Sequence, residues 1–314
     1  MKLLIITQAI DKNNPVLSFF HRWVEEFAKH FEKITVICLE KGSYDLPNNV
    51  QVFSLGKETN NLTPYSLLLT SKLKYVWNFY KYIFKFRRDY EAVFVHMNQE
   101  YVLLAGDMWH MMGKKVYLWR NHAKGSIFTR MAVMLSHKVF YTSPQSFAAR
   151  YKKSVQMPVG IDTDFFKPDP SIERIPNSAL FLGRIAPVKK VSEFVDWLKT
   201  TNYTATIAGP IGDAEYWESV KLKIENSKLK VNYVGPVDQV GALKLYQTHE
   251  LYVNLTPAGS FDKTIFESAS CDTRIKVENR DLEFLNDMSP EELREYVVEN
   301  HSLHELAKNI HASI

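Results

Sequence analysis

Short apolar, β-branched runs alternate with helical periods along most of the chain, and this alternation constrains the fold before any motif is considered. Leu3 to Thr7, Ile34 to Leu39, Val50 to Leu55, Ala92 to His96, Val116 to Trp119 and Lys138 to Thr142 have strand length, with helical periods such as Phe19 to Phe31 and Val102 to Met112 between them. Strands joined through helices form parallel sheets covered on both faces. The alternation pauses at Met157 to Pro168, a Pro-flanked stretch expected to be extended. It resumes with Ala179 to Leu182, Thr204 to Ala208, Lys230 to Val234, Leu251 to Leu255 and Arg274 to Val277. At 314 residues the chain is too long for one ordinary core and suits two. The expectation is α/β, with two Rossmann-like doubly wound domains at 1–165 and 166–288. Residues 289–314 would add helices packed on the pair, opened by capping boxes at Ser289-Pro290-Glu291-Glu292 and Ser302-Leu303-His304-Glu305. Such domains bind ligands outside the carboxyl ends of their strands, and two of them leave a cleft.

Composition excludes several classes. Leu3 to Ile6 is too short for a secretory h-region, no segment reaches transmembrane length, and no low-complexity tract is present. Cys38 and Cys271 fall in separate domains, outside any C-x-x-C pair or His cluster, which implies reduced thiols, no zinc and a cytoplasmic protein. No G-x-G-x-x-G follows the first strand, which disfavours a nicotinamide dehydrogenase. Charge is uneven: residues 1–165 hold 22 Lys and Arg against 13 Asp and Glu, while the remainder holds 17 against 22. A basic front half implies an anionic partner, whether a membrane leaflet, a phosphorylated acceptor or nucleic acid. No recognised nucleic-acid module accompanies the charge, so nucleic acid is not expected.

Residues 72–88 read as a helix with two apolar stripes. Leu73, Val76, Trp77, Tyr80 and Phe84 are expected to face the core, and Tyr75, Phe79, Tyr82 and Phe86 form the second stripe. Lys74, Lys81, Lys85 and Arg88 lie between them. The spare stripe suits an anionic membrane interface, or cover by neighbouring elements or a second subunit.

Two stretches carry chemistry. The strand Leu251 to Leu255 runs through Pro257-Ala258-Gly259-Ser260-Phe261 into a helix over Asp262-Lys263-Thr264-Ile265-Phe266-Glu267, where helix-start amides can hold phosphate or sugar oxygens. Asp262 and Thr264 both suit an N-cap, and Glu267 sits too deep to cap. An ordinary strand-loop-helix connection with a surface Glu fits the same pattern. Leu182-Gly183-Arg184 to Lys189-Lys190 repeats the design with cations before a helix, Val191 to Leu198. Cations there oppose the helix dipole unless an anion is bound, and Arg and Lys together suit a diphosphate.

Together these segments resemble the retaining GT-B glycosyltransferases of the family-4 type. The matching pieces are Pro158-Val159-Gly160-Ile161-Asp162 with Phe166-Lys167-Pro168, Gly183-Arg184 with Lys189, Gly209-Pro210, Tyr233-Val234-Gly235-Pro236, and Asp262-Lys263-Thr264 to Glu267. In the front half the likeness rests on strand-helix order and Trp119-Arg120-Asn121-His122. The resemblance implies transfer from a nucleotide-sugar donor to a glycan or lipid-linked acceptor with retention. Arg184 and Lys189 would hold the diphosphate, Glu267 the ribose, and backbone from Val234 to Val237 the base. Ser260, Phe261, Asp262, Lys263 and Thr264 would line the donor site. His122 would touch the sugar near its reacting carbon; an ordinary loop His fits that position too. Positive side chains would replace a metal, so no cofactor is expected.

Three departures from the pattern stand out. Gly259 occupies the position of the first of two Glu that the family places eight residues apart, and Asp262 with Lys263 would share its sugar-facing role. The glycine-rich loop after the first strand is replaced by Asp11 to Ser18, so that Pro15 and Ser18 are the candidates for approach to acceptor or phosphate. Asp272 stands where Gly is common. These changes keep two rivals in view: a degenerate protein that binds nucleotide or membrane without turnover, and a nucleotide-sugar epimerase. A peripheral position at the inner face of a membrane would suit the basic front domain.

Overall fold

The computed structural model describes residues 1–14, 16–60, 68–259 and 261–314, and divides into two compact units, Met1–Met157 with Leu306–Ile314 and Pro158–Glu305. In the first unit β1 (Lys2–Ile10), β2 (Lys33–Lys41), β3 (Val50–Ser54), β4 (Ala92–His96), β5 (Lys115–Trp119), β6 (Lys138–Tyr141) and β7 (Ser154–Gln156) form one parallel sheet. Its order is β3-β2-β1-β4-β5-β6-β7. The chain therefore moves outward from β1 in one direction, then returns and continues in the other. Right-handed crossovers put the helices of the two directions on opposite faces.

α1 (Ser18–Ala28) covers one face, with Trp23 against Trp119 at 4.9 Å and Phe27 against Phe94 at 6.0 Å between ring centroids. α2 (Leu68–Lys85), α3 (Gln99–Met111) and α4 (Ile127–Met134) cover the other, where Phe79, Ile83, Val102, Trp109 and Val133 meet Leu4, Ile6, Val93, Val95, Val116 and Leu118. With both faces buried, the strands need no polar alternation.

α2 corrects the expectation about its core stripe. Phe79, Ile83 and Phe86 are buried, whereas Leu73, Trp77 and Phe84 are 62%, 73% and 47% exposed. The physical reason lies in the neighbours. Phe86 finds Phe53 at 4.4 Å, and Phe79 finds Tyr101 at 5.0 Å and Trp109 at 6.0 Å. The Leu73 stripe is flanked by Lys74, Lys81 and Lys85, whose ammonium groups would have to be desolvated if it turned inward.

In the second unit β8 (Ile175–Leu182), β9 (Thr204–Ala208), β10 (Val231–Gly235), β11 (His249–Asn254) and β12 (Arg274–Val277) form a parallel sheet of order β10-β9-β8-β11-β12. Alternate residues feed two cores. Ala179, Phe181, Ile207 and Val253 pack under α5 (Val191–Leu198) and α6 (Ala214–Ser227). Leu180, Tyr252, Ile275 and Val277 pack under α7 (Gln239–Thr248), α8 (Lys263–Ser270) and α9 (Pro290–His301).

The Ser289 capping box is complete, with Glu292 closing it. α10 (Leu303–Ser313) starts with Glu305 N donating to Ser302 Oγ at 3.4 Å. Its last residues belong to the first unit, where Tyr117 OH donates to the Ile314 carbonyl at 3.0 Å. Cys38 and Cys271 are buried free thiols, and burial pushes the Cys38 thiol up to about 12.

Candidate functional site

The strand order of the second sheet reverses between β8 and β11. Loops leaving two such neighbours depart in opposite directions and open a crevice at the carboxyl edge. Residues 183–190 leave β8 and residues 255–262 leave β11, so both segments singled out in the sequence end at this reversal.

Backbone bonds lock the first loop in place. Gly183 N donates to Ala208 O at 3.0 Å, Ile185 N to Pro210 O at 2.9 Å, Gly212 N to Ile185 O at 2.9 Å and Gly209 N to Gly235 O at 2.8 Å. Gly209 has φ +137°, and a Cβ there would lie 2.0 Å from the Gly183 carbonyl oxygen. Only glycine permits that approach. The Arg184 stem rests over Gly212, and the residue is exposed, with no carboxylate partner among the described residues. Lys189 closes a short 3₁₀ turn, and Lys190, at φ +55°, begins α5 and reaches Glu278 at 3.2 Å.

Asp262 is the hub of the second loop. It occupies the N-cap position of α8 but makes no capping hydrogen bond. Instead its Oδ2 accepts from Lys189 Nζ at 2.5 Å, Thr256 Oγ1 at 3.0 Å and Asn254 Nδ2 at 3.1 Å. Asn254 Oδ1 in turn takes the Thr256 amide at 3.0 Å, which fixes the orientation of the Asn254 amide. Burial pushes the Asp262 carboxyl up, but the Lys189 charge and the hydrogen bonds from Lys189, Asn254 and Thr256 outweigh it and hold the group below its ordinary value. Thr264 does not cap either; its Oγ1 accepts from Tyr252 OH at 2.7 Å. Both capping expectations are thereby corrected: the carboxylate is drawn off the helix end by an ammonium, a stronger partner than a backbone amide.

Along α8, Lys263 Nζ donates to the Gly160 carbonyl at 2.9 Å, and Glu267 Oε2 accepts from the buried Tyr246 hydroxyl at 3.1 Å. Burial lowers the Lys263 ammonium and raises the Glu267 carboxyl, each against the opposing charge of the other one turn away. The Gly160 segment is itself held by His301, the last residue of α9. Gly160 N and Ile161 N donate to the His301 carbonyl at 3.0 and 2.9 Å, and Val159 N to its Nδ1 at 3.3 Å. With Nδ1 accepting, the ring proton sits on Nε2, 3.2 Å from Tyr296 OH. Burial lowers the His301 ring to about 4.

The other predicted residues fall as follows. Phe261 packs its ring toward Phe266 (5.6 Å) and His301 (6.4 Å). Val234 is exposed at the end of β10, just before Gly235. Gly259 has φ +123°. Ser260 and Pro15 lie outside the described residues. Ser18 is buried as the first residue of α1, and the amides of Val16 and Leu17 are taken by Asn14 Oδ1 at 3.0 and 2.9 Å. His122 belongs to the first unit, exposed in the loop after β5, with Lys124 N donating to its Nδ1 at 3.0 Å.

Thus Lys189, Asp262 and Thr264 join one hydrogen-bonded network through Asn254, Thr256 and Tyr252, while Glu267 is held by Tyr246 and Lys263 by the Gly160 carbonyl. Asn254, Thr256, Tyr252, Tyr246 and His301 hold these groups or their neighbours without having been singled out. Asn254 and Thr256 do leave a trace in the sequence: two polar residues at i, i+2 where an apolar strand meets its loop.

No family model and no curated protein matches this sequence. Solved structures do match. HepE from Anabaena, in complex with UDP, is similar at TM-score 0.66 and 16% identity, over 99% of this chain and 95% of its own. Sucrose-phosphate synthase from Thermosynechococcus elongatus gives 0.68 and 13%, over 100% and 94%. The lipopolysaccharide outer core galactosyltransferase WaaB gives 0.66 and 13%, over 100% and 99%. At these identities the likeness establishes the fold, which is that of the GT-B glycosyltransferases.

Proposed function

We propose that the protein is a glycosyltransferase that moves a sugar from a nucleotide-diphosphate donor to a glycan or lipid-linked acceptor, with retention at the anomeric carbon. The observation that carries this reading is the Lys189–Asp262 pair at the strand-order reversal, with exposed Arg184 in the same loop as Lys189. The donor class is supported by structures of the same fold, since HepE was solved with UDP and with UDP-glucose.

In the reaction the bond from the anomeric carbon to the diphosphate oxygen breaks, and the acceptor oxygen bonds on the same face. The acceptor proton passes to the departing diphosphate. Arg184 and Lys189 neutralise that leaving group, so no metal is required of the mechanism. An ammonium has three N–H donors, and Asp262 takes one of those on Lys189, leaving two for phosphate oxygens. Glu267 keeps acceptor capacity beyond the Tyr246 bond for a pair of ribose hydroxyls. On this reading backbone from Val234 to Val237 would serve the base, amides of Phe261 to Lys263 the sugar, and His122 the sugar near its reacting carbon.

Gly259 favours a second reading, nucleotide binding without turnover, because the first family carboxylate is missing. Thermal unfolding with UDP, GDP, ADP and their sugar conjugates tests binding, since a ligand at about 100 times its Kd adds roughly 2.7 kcal/mol. A selective rise that Glu267→Ala abolishes supports the donor site; no rise with any nucleotide overturns it. Product formation in EDTA from the stabilising donor separates transfer from mere binding, and donor change without acceptor reveals an epimerase.

A further inference from the structure

We propose that the outer face of α2, α3 and α4 in the first unit docks on the surface of an anionic lipid bilayer. α2 turns Leu73, Trp77 and Phe84 outward, α3 adds Met111, and α4 adds Phe128 and Met134, all exposed. The three helices lie side by side on one face of the sheet. Tyr80 OH on α2 donates to the Leu104 carbonyl of α3 at 2.8 Å, and His110 Nε2 on α3 meets the Leu135 carbonyl just beyond α4 at 2.9 Å. These apolar side chains therefore come from adjoining helices, whereas single exposed apolar residues scattered over a surface need no explanation.

Charge selects the occupant. Residues 72–134 carry eleven Lys and Arg against four Asp and Glu, and neither α2 nor α4 contains an acidic residue. Lys74, Lys81 and Lys85 are exposed beside the Trp77 and Phe84 stripe. Cations that reach headgroup phosphates, with an indole at the polar–apolar boundary, form the pattern of a helix lying in a membrane interface. A second copy meeting through the same face would set lysine against lysine. Among the described residues no helix is long and apolar enough to cross a membrane, so the face lies on the bilayer.

Flotation of the intact protein with phosphatidylcholine vesicles, with and without phosphatidylglycerol, tests this independently of nucleotide binding. The expected result is flotation with the anionic vesicles at low salt, its loss at high salt, and none with phosphatidylcholine alone. Each cation near the surface is worth roughly 1 kcal/mol, about fivefold, so Lys74→Ala/Lys81→Ala/Lys85→Ala should weaken partitioning on the order of 100-fold. Trp77→Ser should weaken it at unchanged charge and remove a vesicle-induced blue shift in fluorescence. Lys221→Ala/Lys230→Ala/Lys244→Ala in the second unit should float like the parent. Each variant is checked for an unchanged melting temperature. No flotation, equal flotation with neutral vesicles, equal loss in the second-unit variant, or a dimer in solution that Trp77→Ser dissociates would each overturn the proposal.

Discussion

The Lys189 ammonium and the Asp262 carboxylate, 73 residues apart in sequence, meet at 2.5 Å where the second sheet reverses its strand order. Asn254 and Thr256 place two further donors on the same carboxylate oxygen, so the loops after β8 and β11 are tied through one atom. Truncating Lys189 leaves a half-buried carboxylate with neutral donors only, and Lys189→Ala should cost about 1–3 kcal/mol of stability in urea unfolding. Lys189→Met with Asp262→Asn removes both charges and should recover most of that loss. On the proposed reaction, turnover should remain depressed in both, because neither supplies the cation for the leaving diphosphate. Recovery of turnover in the double variant would show that Lys189 serves the fold alone.

His301 makes stability depend on pH. Its ring is lowered by burial to about 4, against an ordinary value of 6.5. The unfolded chain thus binds a proton that the folded ring refuses between those values. The contribution is complete above about pH 6.5 and is lost as pH falls toward 4, by as much as roughly 3 kcal/mol. His301→Gln should flatten the difference in unfolding free energy between pH 7.5 and pH 5 relative to the parent. Because His301 holds the Gly160 segment that Lys263 reaches, nucleotide affinity should weaken in the same variant.

Two glycines set limits on repair and substitution. Gly209→Ala would drive a Cβ to 2.0 Å from a backbone oxygen at φ +137°, with no flexible side chain to yield. Overpacking and backbone strain together should cost about 2–5 kcal/mol, read as a fall in melting temperature. Gly259→Glu would supply the carboxylate that the resemblance leads one to expect, yet φ +123° is closed to a side chain without about 1–3 kcal/mol of strain. It should lower stability and leave transfer no faster than the parent. A gain in transfer would mean that the loop relaxes around the new carboxylate and that Asp262 is not its replacement.

The parallel sheets were legible because both faces of every central strand are covered, which writes itself as short continuous apolar runs such as Leu3 to Ile6 and Ala92 to Val95. β7, three residues long, carries no period to read. The inward stripe of α2 was misread because periodicity shows how many apolar faces a helix has, and only the partners Phe53, Tyr101 and Trp109 decide which one is buried. At the site, the cations and carboxylates of 184–189 and 262–267 stood out by type and spacing. Their pairing did not, since a capping carboxylate and a salt-bridged one look alike in sequence. Tyr246 and His301 were hidden for a related reason: a buried aromatic with a polar tip reads as core until its hydrogen bond is seen.

The Tyr246–Glu267 bond yields a last prediction, because it bears on the group assigned to the ribose. Burial raises the Glu267 carboxyl, while the Lys263 charge and the Tyr246 hydroxyl pull it down. Tyr246→Phe removes one of those opposing contributions without altering the ring, so the carboxyl should become easier to protonate. A protonated carboxyl loses acceptor capacity for a hydroxyl pair. Nucleotide affinity should therefore fall more steeply as pH is lowered in Tyr246→Phe than in the parent, as measured by calorimetric titration. Stability should drop by only about 1 kcal/mol, the net worth of one such hydrogen bond. A variant that binds nucleotide with the parent's pH profile would remove Glu267 from the ribose site and leave its carboxylate as an internal partner of Lys263.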